Sequence, residues 1–287
     1  MRPGAGRPRP IPGGKRDQVK RSYTSAGRGL GGDQVEGRQA VRELLAAGSR
    51  RIREVWVVAD ADDSEILDDI RELAEGGRVL VREVGRGKFA AQARCEVPQG
   101  VLALVAPLEE ADLDELVTGT GVGAARRRAP GGAKVAPFLV ALDGVTDPGN
   151  LGAVLRSAEC AGATGVVLPR HRAVHVTPAA TKAAAGAIEH LPIALVGGLP
   201  GALARMRDAG VLVVGLDGAA DRSLHDIGPA DGPVCLVLGA EGRGLSRLVR
   251  ERCDQVVAIP LRGRLASLNV ASAATLACFE VVRQRSG

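Results

Sequence analysis

Three segments of the sequence, the first two of them rich in glycine, hold polar side chains at places where a strand is predicted to end and a helix to begin. The first segment covers residues 143–152, contains Asn150 and leads to Arg156 almost two helical turns later. Backbone N–H groups at a helix N-terminus suit a phosphate group, and so does an arginine. The alternative interpretation is structural: Asn150 caps the helix and Arg156 is a surface residue.

The second segment, residues 238–246, carries Glu241 among three glycines. Glycines allow a backbone to approach a ligand closely. The segment lacks the last glycine of the GxGxxG dinucleotide fingerprint, because Arg247 holds that place, and no GxxxxGK[ST] phosphate loop occurs in the chain. A nucleotide-dependent oxidoreductase and a P-loop enzyme are therefore disfavoured.

The third segment, residues 259–270, leaves a predicted strand and enters a predicted helix of small residues. Ser267 and Asn269 flank Leu268 in an otherwise apolar helix start. Either polar residue can serve as the N-cap of the helix. Two polar residues so close together exceed what one cap requires, so the segment also indicates a functional role.

The elements that must position these segments alternate between strands and helices from residue 138 onward. This alternation predicts a parallel sheet with helices on both faces, which binds ligands at the carboxyl ends of its strands. We therefore expect the three segments to meet at one edge of the sheet. The predicted strands cover residues 138–142, 165–168, 211–216, 234–238 and 255–259, and the predicted helices cover 151–161, 178–186, 201–208, 246–251 and 267–283.

Four regions follow from composition and periodicity. Residues 1–32 are rich in glycine, proline and arginine and are predicted to be disordered. Residues 33–107 are predicted to form a small α/β domain that opens with a helix over 34–47, residues 108–137 a flexible linker, and residues 138–287 the parallel-sheet domain.

The charge distribution indicates a polyanionic partner. The whole chain carries a net charge of +5, yet its first 32 residues hold eight basic residues and one acid, so the rest is slightly acidic. A detached basic arm suits a polyanion such as RNA, although a solvated extension is the equally simple alternative. Few aromatic residues are present, which disfavours single-strand binding by base stacking. The five cysteines show no metal-ligand spacing, and no signal peptide or membrane span is seen, so we expect a cytoplasmic protein without a metal site.

Together, the three segments resemble in order and spacing the three motifs of the SpoU (TrmH) family of the SPOUT superfamily. Residues 177–193 also resemble that family. Members are RNA ribose 2′-O-methyltransferases that use S-adenosylmethionine. The first unit, which opens with residues 35–38 and closes with 99–101, resembles the substrate-binding domain of the branch that methylates a guanosine of 23S rRNA.

This resemblance implies a fold, a cofactor and a set of site residues. The fold is α/β, with a trefoil knot in the C-terminal parallel-sheet domain and an N-terminal substrate-binding domain like ribosomal protein L30e. The expected partners are RNA and a second copy of the chain, as a homodimer. The expected S-adenosylmethionine pocket comprises Gly215, Leu216, Leu238, Gly239, Ile259, Leu261 and Leu268, and the expected catalytic residues are Asn150, Arg156, Glu241, Ser267 and Asn269.

The resemblance also implies roles for these residues. Arg156 is expected to hold a phosphate and stabilise the charge on the attacking ribose oxygen, because an arginine is too basic to accept a proton readily. Asn150 and Asn269 are expected to orient Arg156 or the ribose, and Glu241 to fix its loop or pair with Arg156. Two alternatives stay open. The first is methylation of tRNA, which is favoured by the glycine at position 149. The second is a non-catalytic RNA-binding protein.

Overall fold

The structure is a computed structural model that describes residues 29–62, 64–120, 135–171, 176–228, 231–265 and 267–286. Within these residues the chain forms two β-sheets, one of four strands and one of seven. The expected α/β fold is confirmed. The expected parallel sheet is also confirmed, since all the strand pairs of the larger sheet run parallel.

The smaller sheet lies in the N-terminal part of the chain. This part comprises β1 (Gln34–Glu36), α1 (Arg38–Ala47), β2 (Ile52–Val58), α2 (Glu65–Gly76), β3 (Leu80–Val84), α3 (Arg86–Gln92) and β4 (Val101–Val105). The strand order is β1-β4-β2-β3, with β2 and β3 parallel and the other pairs antiparallel. Apolar faces of α1 and α2 pack on the sheet, so that Val41, Leu44 and Ile70 are fully buried.

The first helix begins later than its apolar spacing predicts. Residues 34–36 form strand β1, which pairs with β4, and the predicted helix over 34–47 is wrong for these residues. Gly37 separates strand from helix with a φ of 100°, which residues with a side chain rarely adopt. Its amide donates to the carbonyl of Val101 at 3.0 Å. Pairing with β4 therefore overrides the local helical pattern.

The larger sheet occupies the C-terminal part. Its strands are β5 (Phe138–Asp143), β6 (Gly165–Pro169), β7 (Ile193–Val196), β8 (Leu212–Leu216), β9 (Arg222–Ser223), β10 (Val234–Gly239) and β11 (Gln255–Ala258). Helices around it include α4 (Leu113–Thr118), α5 (Pro148–Cys160), α6 (Pro178–Ala184), α7 (Leu199–Asp208), α8 (Arg247–Arg250) and α9 (Val270–Ser286). In the described part of the chain, no helix has the length and apolarity needed to cross a membrane.

The strand order of this sheet places a crevice at its centre. The order is β7-β6-β5-β10-β8-β11-β9. From β5 the chain runs outward through β6 and β7, whereas β10, β8 and β11 lie on the other side of β5. The order thus reverses between β5 and β10, and open α/β sheets bind ligands at such a switch point.

Alternate residues of the central strands enter two separate apolar cores. Val140 and Leu236 point into the core beneath α5, α6 and α9. Leu139 and Cys235 point into the core on the opposite face, which α4 and α7 close. This alternation is what strands covered on both faces require.

Two stretches that the composition assigned to tail and linker contain packed residues. Leu30 is buried in the main core, and the amide of Gly32 donates to the carbonyl of Val176 at 2.9 Å, so the predicted disorder of residues 1–32 is wrong for this end. Likewise α4 lies inside the predicted linker and buries Leu113 and Leu116. A single apolar face suffices to dock such short segments. Residues 1–28 and 121–134 lie outside the described residues.

A buried ion pair joins the two parts of the chain. Arg50 donates to both carboxylate oxygens of Glu189, from Nη2 at 2.6 Å and from Nε at 2.8 Å. Arg50 Nη1 also donates to the carbonyls of Gly32 and Ala106. The two side chains are 8% and 0% exposed. Charges buried in this way require a partner, so this contact fixes the N-terminal sheet against the segment around residue 189.

Candidate active site

The three segments meet at the carboxyl edge of the larger sheet, as their positions after predicted strands imply. They follow β5, β10 and β11. Asp143 and Gly239, the last residues of β5 and β10, lie directly opposite each other in the sheet register. The amide of Ser246 donates to Asp143 Oδ2 at 2.6 Å and ties the second segment to the end of β5. The three loops are therefore held together at the point where the strand order reverses.

The first segment begins helix α5 with Asp147 rather than Asn150 as its cap. Asp147 Oδ1 accepts a hydrogen bond from the amide of Asn150 at 2.7 Å, and Pro148 occupies the first turn of the helix. The interpretation of Asn150 as the cap is therefore wrong. Since Asp147 already satisfies the helix terminus, the Asn150 side chain is available for contacts outside the helix.

Asn150, Glu241 and Asn269 form a closed hydrogen-bonded cluster, which we call the Glu241 cluster. Asn269 Nδ2 donates to Glu241 Oε1 at 2.5 Å and to Asn150 Oδ1 at 2.9 Å. Asn150 Nδ2 donates to the same Glu241 oxygen at 3.3 Å. Each of the three segments thus contributes one side chain. Glu241 and Asn269 are exposed and Asn150 is half-buried, so the cluster lies at the surface.

Asn269 also caps helix α9. Its Oδ1 accepts from the amides of Ala271 at 2.9 Å and Ser272 at 3.4 Å. The helix starts at Val270, so the prediction that it starts at residue 267 is wrong. Asn269 is the N-cap because its side-chain amide makes two contacts at once. The oxygen caps the helix, and the nitrogen donates a hydrogen bond to Glu241.

Glycines in the second segment fold that loop back on itself. A Cβ on Gly239 would lie 2.2 Å from the carbonyl carbon of Gly244, which no real structure tolerates. Gly244 itself has a φ of 64°, in the left-handed region that favours glycine. The backbone therefore needs both glycines in order to place Glu241 between the ends of the other two segments.

A cavity of about 470 Å³ adjoins the Glu241 cluster. This volume lies within the range of small-molecule and cofactor sites, which are lined mainly by apolar groups. The end of β8 and the second and third segments supply its walls. Of the expected pocket residues, the cavity is lined by Leu216, Leu238, Gly239, Ile259, Leu261 and Leu268, and of the expected catalytic residues by Glu241 and Ser267.

Gly215, also expected in the pocket, is not among the residues that line the cavity. It lies inside β8, where a Cβ would come within 2.6 Å of Leu245 Cδ1 and 2.8 Å of Cys253 Sγ. A glycine is needed there for packing against the segments on either side of α8. Burial raises the pKa of the Cys253 thiol to about 12, so the thiol stays protonated and packs as an apolar group.

Arg156 lies on α5 but makes no contact with the Glu241 cluster. Its side chain is exposed, and no hydrogen bond or ion pair joins it to another of the described residues. Glu241 therefore contacts the two asparagines and the amide of Val270, at 3.2 Å, rather than Arg156. The helix that carries Arg156 is held rigidly, because Gly152 lets α6 pack against it: a Cβ there would lie 2.4 Å from the carbonyl oxygen of Ala180.

Sequence reasoning missed Asp217, which follows β8 and also lines the cavity. Its carboxylate forms an ion pair with Arg250 of α8 and accepts a hydrogen bond from the amide of Ala219. The available signal was its place directly after a predicted strand of the parallel sheet, where ligands bind.

Comparisons with known proteins agree with this architecture. The SpoU rRNA methylase family model matches residues 137–279, and a model for RNA 2′-O ribose methyltransferase substrate binding matches residues 34–111. The 23S rRNA (guanosine-2′-O-)-methyltransferase RlmB of Photobacterium profundum is 38% identical over 259 residues, which are 89% of this chain and 99% of that protein. Its namesake in Escherichia coli K12 is 36% identical over 257 residues, or 88% and 99% of the two chains.

A solved structure shows the same fold. The SpoU methyltransferase AviRb from Streptomyces viridochromogenes, in complex with the cofactor AdoMet, superposes with a TM-score of 0.70 at 28% identity, over 88% of this chain and 90% of that one. Both parts of the chain thus match one family along nearly their whole length. The chain belongs to the SpoU rRNA methylase family, which confirms the resemblance carried by the three segments.

Proposed function

We propose that this chain transfers a methyl group from S-adenosylmethionine to the 2′-hydroxyl of a guanosine in 23S rRNA. The observation that carries the proposal is the cavity of about 470 Å³ beside the Glu241 cluster, in a chain that matches the family along both of its parts. The RlmB relatives, whose names specify 23S rRNA and guanosine, support the substrate. A ribosomal RNA substrate in turn supports action in the cytoplasm.

The residues around the cavity fit the cofactor. Leucine and isoleucine side chains that line the cavity would offer an apolar surface to an adenine ring, and backbone groups of the glycine-rich turns would hydrogen-bond its edge. Two carboxylates, of Asp217 and Glu241, lie at the cavity wall and suit polar or positively charged groups. S-adenosylmethionine supplies, when bound, a methyl group made electrophilic by a positively charged sulfonium. We propose that the six expected pocket residues lining the cavity hold it.

The Glu241 cluster positions the target ribose. Two asparagine side chains held by one carboxylate offer a fixed pattern of donors and acceptors at the mouth of the cavity. Holding a hydroxyl in the geometry of attack provides a large part of the rate in such transfers. Ser267, which lines the cavity, contributes a further hydroxyl to the same edge.

Arg156 supplies positive charge to the RNA. Its exposed guanidinium, without a partner among the described residues, is available to a phosphate group of the substrate. Negative charge develops on the ribose oxygen as its proton is lost, and a nearby guanidinium stabilises that charge. Because arginine stays protonated, it acts through charge and hydrogen bonds rather than as the proton acceptor.

We also propose a homodimer and a trefoil knot, on the strength of the family resemblance. The structure supports the dimer through exposed apolar side chains on the third segment and on α9. Leu265, Leu276 and Phe279 are 81%, 49% and 46% exposed. A second copy that covers these side chains removes them from water.

Methyl transfer from labelled S-adenosylmethionine to unmodified 23S rRNA and to tRNA tests the proposal, with the labelled nucleotide then mapped. We expect label in 23S rRNA, and a decrease in kcat/KM of roughly 100- to 1,000-fold for Arg156→Ala. Arg205→Ala is the matched control, because Arg205 is also exposed but pairs with Asp114 on the opposite face of the sheet.

Other outcomes separate the alternatives. Label in tRNA alone would retain the chemistry and overturn the rRNA substrate. No label in either RNA, together with no binding of the cofactor in calorimetry, would favour a non-catalytic RNA-binding protein. Equal activity of the Arg156 and Arg205 variants would remove Arg156 from the mechanism.

A further inference from the structure

Asp217 is a largely buried acid at the wall of the cavity whose function the Glu241 cluster does not explain. It follows β8 directly, and its side chain is 15% exposed. The charged residues lining the cavity in the described part of the chain are Asp217, Glu241 and Arg243. Glu241 already accepts three hydrogen bonds on one oxygen. Asp217 is therefore the acid at the cavity with acceptor positions to spare on both oxygens.

Contacts on each side fix the Asp217 carboxylate in place. Oδ1 accepts from the amide of Ala219 at 2.9 Å, and Oδ2 pairs with Nη1 of Arg250. The backbone amide of Asp217 donates to the carbonyl of Val257 at 3.0 Å. Gly244 lies beside the carboxylate and puts no side chain against it, since a Cβ at that position would be in van der Waals contact, 3.5 to 3.7 Å from its atoms. A carboxylate has about four acceptor positions, so one position on each oxygen is left for a ligand.

Two free acceptor positions on one rigid carboxylate match two adjacent hydroxyl groups. Acids at strand ends of open α/β sheets bind the hydroxyls of a nucleotide ribose in this manner. The charge of Asp217 is already balanced by Arg250, which favours a neutral pair of hydroxyls over a cation. We infer that Asp217 binds the ribose hydroxyls of the nucleoside cofactor and thereby determines the position of the nucleoside in the cavity. This inference rests on the proposed function.

Calorimetric binding to the full chain tests the inference without reference to methyl transfer. The ligands are S-adenosylhomocysteine, 5′-methylthioadenosine, and the 2′-deoxy and 3′-deoxy forms of each. For the wild type we expect each deoxy form to bind roughly 10- to 100-fold more weakly than its parent, as for hydrogen bonds to a charged group. For Asp217→Ala we expect the parent to bind as weakly as the deoxy forms, with the preference between them gone.

Arg250→Met is the matched variant, because it removes the partner and keeps the carboxylate. If Asp217 acts only by tying its loop to α8, Arg250→Met would weaken all ligands equally and abolish the preference for hydroxyls. Retention of that preference in Arg250→Met, with its loss in Asp217→Ala, supports direct binding. Thermal unfolding of both variants without ligand checks that they fold.

The remaining outcomes are also decisive. Wild-type protein that binds the parent and deoxy forms equally would overturn the inference and leave the proposed function intact. Asp217→Ala that weakens S-adenosylhomocysteine but not 5′-methylthioadenosine would assign the carboxylate to the amino-acid part of the cofactor and also overturn it. Wild-type protein that binds none of these ligands, nor S-adenosylmethionine, would overturn the proposed function itself.

Discussion

Two carboxylates of this chain, Glu189 and Glu241, collect similar numbers of hydrogen bonds in opposite surroundings. Glu189 is fully buried and accepts from Arg50 through two nitrogens and from the Ser49 hydroxyl. Glu241 is exposed and accepts from Asn150, Asn269 and one backbone amide. A cation balances the first charge, whereas neutral groups alone contact the second among the described residues.

The difference separates a structural contact from a positioning contact. A buried charge that loses its partner carries a large desolvation cost, so the Arg50–Glu189 pair is needed for the two parts of the chain to stay together. The close approach of Gly186 to Glu43, where a Cβ would lie 2.2 Å from that of Glu43, belongs to the same contact. An exposed charge is solvated by water in any case, so the Glu241 cluster adds little to stability and acts by fixing side-chain directions.

The largest effect on stability is expected at the buried pair. Glu189→Ala leaves Arg50 buried without its partner, and we expect a loss of about 3–5 kcal/mol in the free energy of unfolding, measured by urea denaturation. Asp68→Ala is the control, because it breaks the exposed Arg71–Asp68 pair and should cost less than about 1 kcal/mol. Similar losses in the two variants would show that burial does not distinguish the Glu189 contact.

Glu241 is expected to show the reverse pattern. Glu241→Ala removes the acceptor that holds both asparagines, and such misplacement lowers kcat/KM for methyl transfer by roughly 100-fold. We expect the free energy of unfolding to change by less than about 1 kcal/mol, because the side chain is exposed. Glu241→Gln keeps an oxygen acceptor at that position and should lose less activity than the alanine variant. A stability loss as large as that of Glu189→Ala would contradict the comparison.

The sequence indicated much of the site because local signals were involved. Glycines and polar residues after strands predicted three loops at one edge of a parallel sheet, and the loops meet there. Capping chemistry alone could not choose among Asp147, Asn150, Ser267 and Asn269, since all three residue types cap helices well. Contacts with Glu241, distant in the sequence, make that choice.

Long-range packing limited the rest of the prediction. Arg50 and Glu189 are 139 residues apart, and neither lies in a pattern that predicts a buried pair. Gly215 resembled a pocket residue by its position, but the packing of Leu245 and Cys253 against β8 accounts for it. Leu30 lies in a stretch of tail-like composition, and only the core into which it packs reveals that it is ordered.

Asn269 takes part in a structural contact and in a positioning contact, so its variants test the comparison at a single residue. Its oxygen caps α9 and its nitrogen donates to the Glu241 cluster. Asn269→Ala should lose about 0.5–2 kcal/mol in the free energy of unfolding, as for the loss of a cap. Asn269→Ser should restore most of that stability, because serine caps as well as asparagine, yet its short hydroxyl does not replace the amide nitrogen that donates to Glu241 and Asn150.

Methyl transfer and unfolding, measured on the same two variants, separate the two contacts. We expect both variants to lose roughly 10-fold in kcat/KM, less than Glu241→Ala, because Asn150 keeps its hydrogen bond to Glu241 when one donor is removed. Activity that recovers along with stability in Asn269→Ser would mean that the cap alone determines the geometry of the third segment. Activity that stays low while stability recovers would show that the side-chain amide itself positions the site.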